Sequence, residues 1–137
     1  MSEDLSGQVA LVSGGGRGFG KAIAKALAAA GAAVTVISRT LPEVEQTATE
    51  IKAAGGRSLG LKGDVSVQAD WDRAVFQSES KFGPLTLLVA NAALSDPAGP
   101  LYEIDPDVWQ RTLEVNVMGA VRGARAVLPG MVERKQG

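Results

Sequence analysis

The residues most able to do chemistry in this sequence form a glycine-rich turn between an apolar run and a helical pattern. The turn comprises Ser13-Gly14-Gly15-Gly16-Arg17-Gly18-Phe19-Gly20 and directly follows the apolar residues 9–12. Glycine permits a tight turn and lets a ligand approach the backbone closely. A helix that begins near Gly18 offers its free N–H groups and positive dipole end to an anion. The turn therefore predicts a pyrophosphate site, and the alternative is an ordinary strand–helix turn.

Composition and charge exclude several other kinds of chemistry. The 137 residues include 14 basic and 15 acidic side chains, a net charge of −1, so nothing favours binding to nucleic acid or to an anionic membrane. Cysteine and histidine are both missing from the sequence, which excludes a disulfide, a thiolate nucleophile, a histidine-based triad and the commonest metal ligands. We therefore expect no metal site.

The hydropathy pattern indicates where the protein is found. Residues 1–7 are polar and lack the apolar run of a signal peptide. No segment approaches the ~20 uninterrupted apolar residues that a membrane-spanning helix needs. We expect no membrane span and a cytoplasmic location.

The glycine-rich turn requires elements that position it, and the sequence alternates strands with helices. We predict strands over residues 9–12, 33–37, 58–62 and 85–90. We predict a first helix over residues 18–30, a second that begins at Pro42 and ends before residues 55–56, a third that ends at Gly83, and a last one over residues 105–134. Ser66 or Asp70 is expected to cap the third helix, and Pro129 with Gly130 to kink or interrupt the last. This alternation predicts one α/β domain over residues 1–137, a doubly wound parallel sheet with its ligand at the strand C-termini.

Four motifs in order along the chain resemble the short-chain dehydrogenase/reductase family. Residues 13–20 resemble its T-G-x-x-x-G-x-G fingerprint, with Ser13 in place of threonine. Residues 64–65 resemble its Asp-hydrophobic pair after the third strand, and residues 90–93 its N-N-A-G motif, with alanine at the two outer positions. Asn116 lies where the family has the asparagine of its catalytic tetrad. The resemblance implies a Rossmann-type fold with a nicotinamide dinucleotide.

The resemblance also assigns site residues. It implies a catalytic role for Asn116. The residues that it implies for cofactor binding are Ser13, Gly14, Gly16, Arg17, Gly18, Phe19, Gly20, Ser38, Arg39, Asp64, Val65, Asn91 and Ala92.

Three of these residues also have structural interpretations. Asp64 can accept a hydrogen bond from the amine of an adenine, or it is a turn carboxylate. Asn91 follows the fourth strand, where its amide can tie neighbouring strand ends together. Asn116 is either a satisfied core asparagine or, as in the family, the residue that orients a proton-relaying water; an unsatisfied amide would cost about 1–3 kcal/mol.

The end of the second strand bears on the choice of cofactor. NAD-binding folds usually place a carboxylate about 20 residues beyond the glycine turn, to bind the ribose 2′-hydroxyl. Here the sequence has Ser38 and Arg39 instead, with Arg17 in the turn as a second cation. A guanidinium matches a 2′-phosphate, so we predict NADP(H) in preference to NAD(H).

The family's serine and Tyr-x-x-x-Lys are not found in these residues. The single tyrosine, Tyr102, is followed four positions later by Pro106, and Ser95 precedes the last helix. We therefore expect this chain to be the N-terminal part of a longer enzyme, truncated after four strands and inactive alone. We predict an NADP-dependent oxidoreductase that interconverts a small alcohol and a carbonyl by hydride transfer. The alternative is a non-catalytic dinucleotide-binding or interaction module.

Two structural expectations follow from a four-stranded half-fold. The fourth strand would form an apolar sheet edge, because the family places its fifth strand beside it. By analogy with the family, residues 107–132 would contribute to a homo-oligomer interface in the complete protein.

Overall fold

The computed structural model describes residues 3–137, which form a four-stranded parallel sheet with helices on both faces. The strands are β1 (Val9–Ser13), β2 (Ala33–Ser38), β3 (Arg57–Lys62) and β4 (Leu87–Val89), in the spatial order β3-β2-β1-β4. This order and the parallel pairing confirm the doubly wound, Rossmann-type fold.

The helices alternate with the strands as predicted. They are α1 (Gly18–Ala29), α2 (Leu41–Ala53), α3 (Gln68–Phe82), α4 (Pro106–Leu113) and α5 (Gly119–Arg134), with a short 3₁₀ turn at Leu101–Glu103. Five π-helical residues, Glu114–Met118, join α4 to α5. Within residues 3–137, no helix has the length and apolar character needed to cross a membrane.

Two apolar clusters cover the two faces of the sheet. Val9 and Leu11 of β1 point toward α3 and α5, where Trp71 is buried. Ala10 and Val12 point the other way, toward α1 and α2. Because both faces of β1 are covered, every residue of the strand is buried, and residues 9–12 form a continuous apolar run.

Small residues allow α1 to lie close to the sheet. Its buried positions are Gly20, Ala24 and Ala28, one per turn. Gly31 follows the helix with φ +108°, the left-handed conformation expected just beyond a helix end.

Three local predictions were wrong. Neither Ser66 nor Asp70 caps α3, because Asp70 Oδ2 accepts the Asp64 N–H at 2.8 Å and Ser66 donates to Asp64 Oδ1. Strand β4 is shorter than residues 85–90, because the Leu85 N–H is bonded to Glu79 Oε1. The last helix is not interrupted at Pro129, and the interruption of the predicted helix over residues 105–134 lies at Glu114–Met118 instead.

Strand β4 forms one edge of the sheet, as expected for this strand order. Its three residues are half-buried, and the adjacent Leu85 C=O accepts a hydrogen bond from Arg134 Nη2 at 2.8 Å.

Candidate functional site

The glycine-rich turn connects β1 to α1 at the C-terminal edge of the sheet. Gly14 has φ +67°, and its N–H donates to the Ile37 C=O of β2 at 2.9 Å. Helix α1 begins at Gly18 after an extended Arg17, and no side chain caps it among the described residues. The N–H groups of the first turn therefore remain available to an anionic ligand.

Gly20 allows the closest approach in this turn. A Cβ at Gly20 would collide with the Gly14 carbonyl oxygen and lie 2.5 Å from Asn91 Nδ2. The first turn of α1 and the end of β4 can be this close only because position 20 has no side chain.

Ser13 and Asn91 join the ends of β1 and β4. Ser13 Oγ accepts hydrogen bonds from the Asn91 and Ala92 N–H groups, both at 3.1 Å. Asn91 Nδ2 donates to the Ser13 C=O at 3.2 Å and to the Gly14 C=O at 3.4 Å. The structural interpretation of Asn91, an amide that ties strand ends together, matches this geometry.

Two arginines lie at the mouth of the site. Arg17 precedes α1, and Arg39 follows β2; both are exposed. In the part of the chain that the structure describes, neither forms an ion pair with a carboxylate. Ser38 Oγ is engaged locally, since it accepts the Thr40 N–H and donates to the Thr40 C=O, both at 3.2 Å.

Asp64 follows β3, and its surroundings favour the ionised form of its carboxyl group. Partial burial opposes ionisation, but the hydrogen bonds from Ser66 and the charges of Arg39 and Arg111 outweigh it, so the pKa of Asp64 lies below its ordinary value. Both Ser66 bonds go to Oδ1. Oδ2 therefore remains as an acceptor.

Asn116 lies in the π-helical segment and is bonded to the loop after β4. Its Oδ1 accepts the Leu94 N–H at 2.7 Å, and its Nδ2 donates to the Leu94 C=O at 2.9 Å. One turn earlier, Thr112 Oγ1 donates to the Asp96 C=O at 2.8 Å. The amide of Asn116 is thus satisfied, although the residue is exposed rather than in the core.

A crevice of about 360 Å³ runs over the strand ends and unites most of the predicted residues. This is the size of a small-molecule pocket. Three predicted residues do not line it: Ser13 and Gly20 are buried, and Asn116 is bonded to the backbone of Leu94, which does line it. The predicted residues that line it are Gly14, Gly16, Arg17, Gly18, Phe19, Ser38, Arg39, Asp64, Val65, Asn91 and Ala92.

Sequence reasoning missed six residues that also line the crevice: Thr40, Glu43, Gly63, Ala93, Leu94 and Val115. Two of them carried a signal in the sequence: Ala93 is the last residue of the motif at residues 90–93, and Gly63 directly precedes Asp64. The packing of the chain brings the other four to the crevice.

Nearly the whole chain matches one protein family. The family model of the short chain dehydrogenases matches residues 8–137. The chain belongs to the short-chain dehydrogenase family.

Individual short-chain dehydrogenases resemble it along nearly its whole length. A short chain dehydrogenase of Pseudocercospora fijiensis is 42% identical over 97% of this chain and 43% of its own length. The 2-(S)-hydroxypropyl-CoM dehydrogenase 3 of Xanthobacter autotrophicus is 36% identical over 100% of this chain and 53% of its own length. The chain spans about half the length of the curated relatives it matches.

A solved structure of the family has the same fold. The crystal structure of a metagenomic short-chain oxidoreductase in complex with NADP superposes with a TM-score of 0.90 at 34% identity. The match covers 97% of this chain and 60% of that one.

Proposed function

We propose that the protein carrying this chain is an NADP-dependent oxidoreductase that interconverts an alcohol and a carbonyl by hydride transfer, with this chain as its cofactor-binding half. The observation that carries the proposal is the uncapped N-terminus of α1, which opens into the crevice beside a turn where Gly20 has no room for a side chain. NADP(H), when bound, supplies or accepts the hydride. The two named relatives are dehydrogenases, which gives no support to the non-catalytic module.

The glycine turn fits a diphosphate. Gly14 and Gly16 both border the crevice where a Cβ would meet other atoms within about 3 Å. Backbone N–H groups and the helix dipole favour a dianionic group at this end of α1.

Arg17 and Arg39 fit the 2′-phosphate that distinguishes NADP(H) from NAD(H). Both border the crevice and have no carboxylate partner among the described residues, so each guanidinium is free to bind a phosphate. The NADP complex of the metagenomic relative is consistent with this preference.

Asp64 and Asn116 have different parts in the proposal. Asp64 Oδ2 accepts a hydrogen bond from the adenine amine, because the carboxylate is ionised and borders the crevice. Asn116 contributes to the proton relay by orienting a water, and its amide also bonds the Leu94 backbone twice. We therefore regard Asn116 as a positioning residue.

The proposed partners are a small carbonyl or alcohol substrate and a second copy of the protein. Apolar side chains recur along the exposed side of α4, the π-helical segment and α5, as the family's oligomer interface would require. These side chains are Trp109, Leu113, Val117, Val121, Leu128 and Val132. We expect the Val121→Glu variant of the complete protein to dissociate, and analytical sedimentation measures this.

Titration calorimetry of NADPH and NADH on the complete protein tests the cofactor assignment. We expect NADPH to bind more tightly, and Arg39→Ala to weaken NADPH roughly 10- to 100-fold, the value of a charge-assisted hydrogen bond, without affecting NADH. Tighter binding of NADH would contradict the assignment. The 137-residue chain alone is expected not to oxidise NADPH with any carbonyl.

A further inference from the structure

A carboxylate lies where the proposed 2′-phosphate site would favour positive charge. Glu43, in the first turn of α2, borders the crevice together with Arg17, Ser38 and Arg39. A Cβ built on Gly16 would lie 2.8 Å from Glu43 Cβ, 3.1 Å from its Oε2 and 3.3 Å from Ser38 Oγ. The carboxylate and the Ser38 hydroxyl therefore flank the same α-carbon of the glycine turn.

The position of Glu43 is set by the packing of α2 on the glycine turn. Thr47 is fully buried one turn further along α2, and its single O–H is shared between the Gly15 C=O at 3.0 Å and the Glu43 C=O at 3.2 Å. This hydroxyl connects the backbone of the turn to the backbone of Glu43. The carboxylate is thus held beside the turn.

The helix dipole favours a negative charge in the first turn of α2, but among the described residues no hydrogen bond or ion pair engages the Glu43 carboxylate itself. Thr40 and Glu43 have the Thr-x-x-Glu spacing of a capping box, in which the glutamate would accept the N–H of the threonine. Here the Thr40 N–H goes to Ser38 Oγ instead. The five ion pairs within residues 3–137 use other carboxylates. Glu43 is left facing the crevice.

Resting on the proposed NADP(H) function, we propose that Glu43 is a specificity-determining residue that opposes the 2′-phosphate and so limits the preference for NADP(H) over NAD(H). A like charge a few ångströms from a phosphate weakens its binding, and salt screens the effect. Arg17 and Arg39 attract the phosphate, and Glu43 reduces that attraction. The balance of the three side chains sets the cofactor ratio.

Glu43→Gln in the complete protein tests the proposal, because it removes the charge and keeps the shape. We expect the Kd of NADPH and of 2′,5′-ADP to fall roughly three- to tenfold at low salt, with NADH and 5′-AMP changed less than about twofold. In about 1 M NaCl the gain should largely disappear. The matched control is Glu45→Gln, the same charge change at an exposed position of α2 that does not border the crevice.

Two results for the variants would overturn the proposal. If Glu43→Gln and Glu45→Gln changed the Kd of NADPH equally, the effect would come from the overall charge of the protein and not from the position of Glu43. Weaker NADH and 5′-AMP binding by Glu43→Gln, with NADPH unchanged, would make Glu43 an acceptor for the ribose 2′-hydroxyl. Failure of the proposed function is detected separately, from the Kd values of NADPH and NADH for the wild-type protein and for Arg39→Ala. A wild-type protein that binds neither nucleotide would overturn both the proposed function and the role of Glu43.

Discussion

Asn116 and Leu94 form two reciprocal hydrogen bonds, in which the side-chain amide of Asn116 pairs with the backbone of Leu94 as a neighbouring strand would. The Leu94 N–H donates to Oδ1 at 2.7 Å, and Nδ2 donates to the Leu94 C=O at 2.9 Å. The pair connects the π-helical segment to a residue that borders the crevice.

Asn116→Asp should lower the free energy of unfolding by about 1–2 kcal/mol at pH 7, because a carboxylate accepts from the Leu94 N–H but donates nothing to its C=O. Part of the loss should be recovered below about pH 4, where the protonated acid can donate. Urea unfolding measures both. Gln110→Glu adds the same charge to an exposed position of α4 and should change stability by less than about 0.5 kcal/mol. Equal losses in the two variants would contradict the pairing.

Ser13→Ala should destabilise the protein by about 1–2 kcal/mol. The hydroxyl is the shared acceptor for the Asn91 and Ala92 N–H groups, and the alanine leaves the Ala92 N–H without a partner while the Asn91 N–H keeps the Val89 C=O at 3.0 Å. Denaturant unfolding gives the value. Ser80→Ala is the control, since Ser80 is exposed and bonds only within its own helix. A Ser13 variant as stable as the Ser80 variant would show that water replaces the hydroxyl.

Gly20→Ala should cost about 1–3 kcal/mol and abolish measurable NADPH binding, because the new Cβ would collide with the Gly14 carbonyl oxygen. Helix propensity alone predicts the opposite, a gain of about 1 kcal/mol. Gly130→Ala provides the control, because Gly130 is also helical and the three atoms nearest to its Cβ all belong to the guanidinium of Arg134 and not to the backbone. Thermal unfolding and calorimetry measure the two effects. A Gly20 variant that matches the Gly130 variant would refute the close approach.

Stability should depend on pH through Glu50, which joins α1 to α2. Hydrogen bonds from Lys21 at 2.8 Å and Lys25 at 3.0 Å lower the pKa of Glu50 from 4.5 to about 2. Because the folded protein has the lower pKa, the stabilisation is complete above about pH 4.5 and is lost as the pH falls toward 2.

Urea midpoints of wild type and Glu50→Gln should therefore differ at pH 7 and converge near pH 2. Glu45→Gln, which removes an exposed carboxylate outside this cluster, should follow the wild type throughout. A Glu50 difference that stays constant from pH 7 to pH 2 would exclude the ion pairs as its cause.

The sequence by itself determined the fold class, the element order and most of the crevice. Apolar runs of strand length and helical spacing of buried residues are local properties, and their alternation admits few topologies. The glycine turn and its strand and helix are contiguous, so residues 13–20 could be located from their own order. The same holds for Asp64 and Asn91, each two positions beyond the end of a strand.

Only the tertiary structure decided which of these residues face the crevice and what lies opposite them. Ser13 and Gly20 are buried and do not line it, because Ser13 is bonded to Asn91 and Gly20 lies against Gly14 and Asn91. Asn116 is bonded to a residue 22 positions earlier. Glu43 reaches the glycine turn because Thr47 bonds Gly15, a partner 32 positions away. Sequence periodicity records which face of an element is buried, but distances between remote residues are set by how the elements pack.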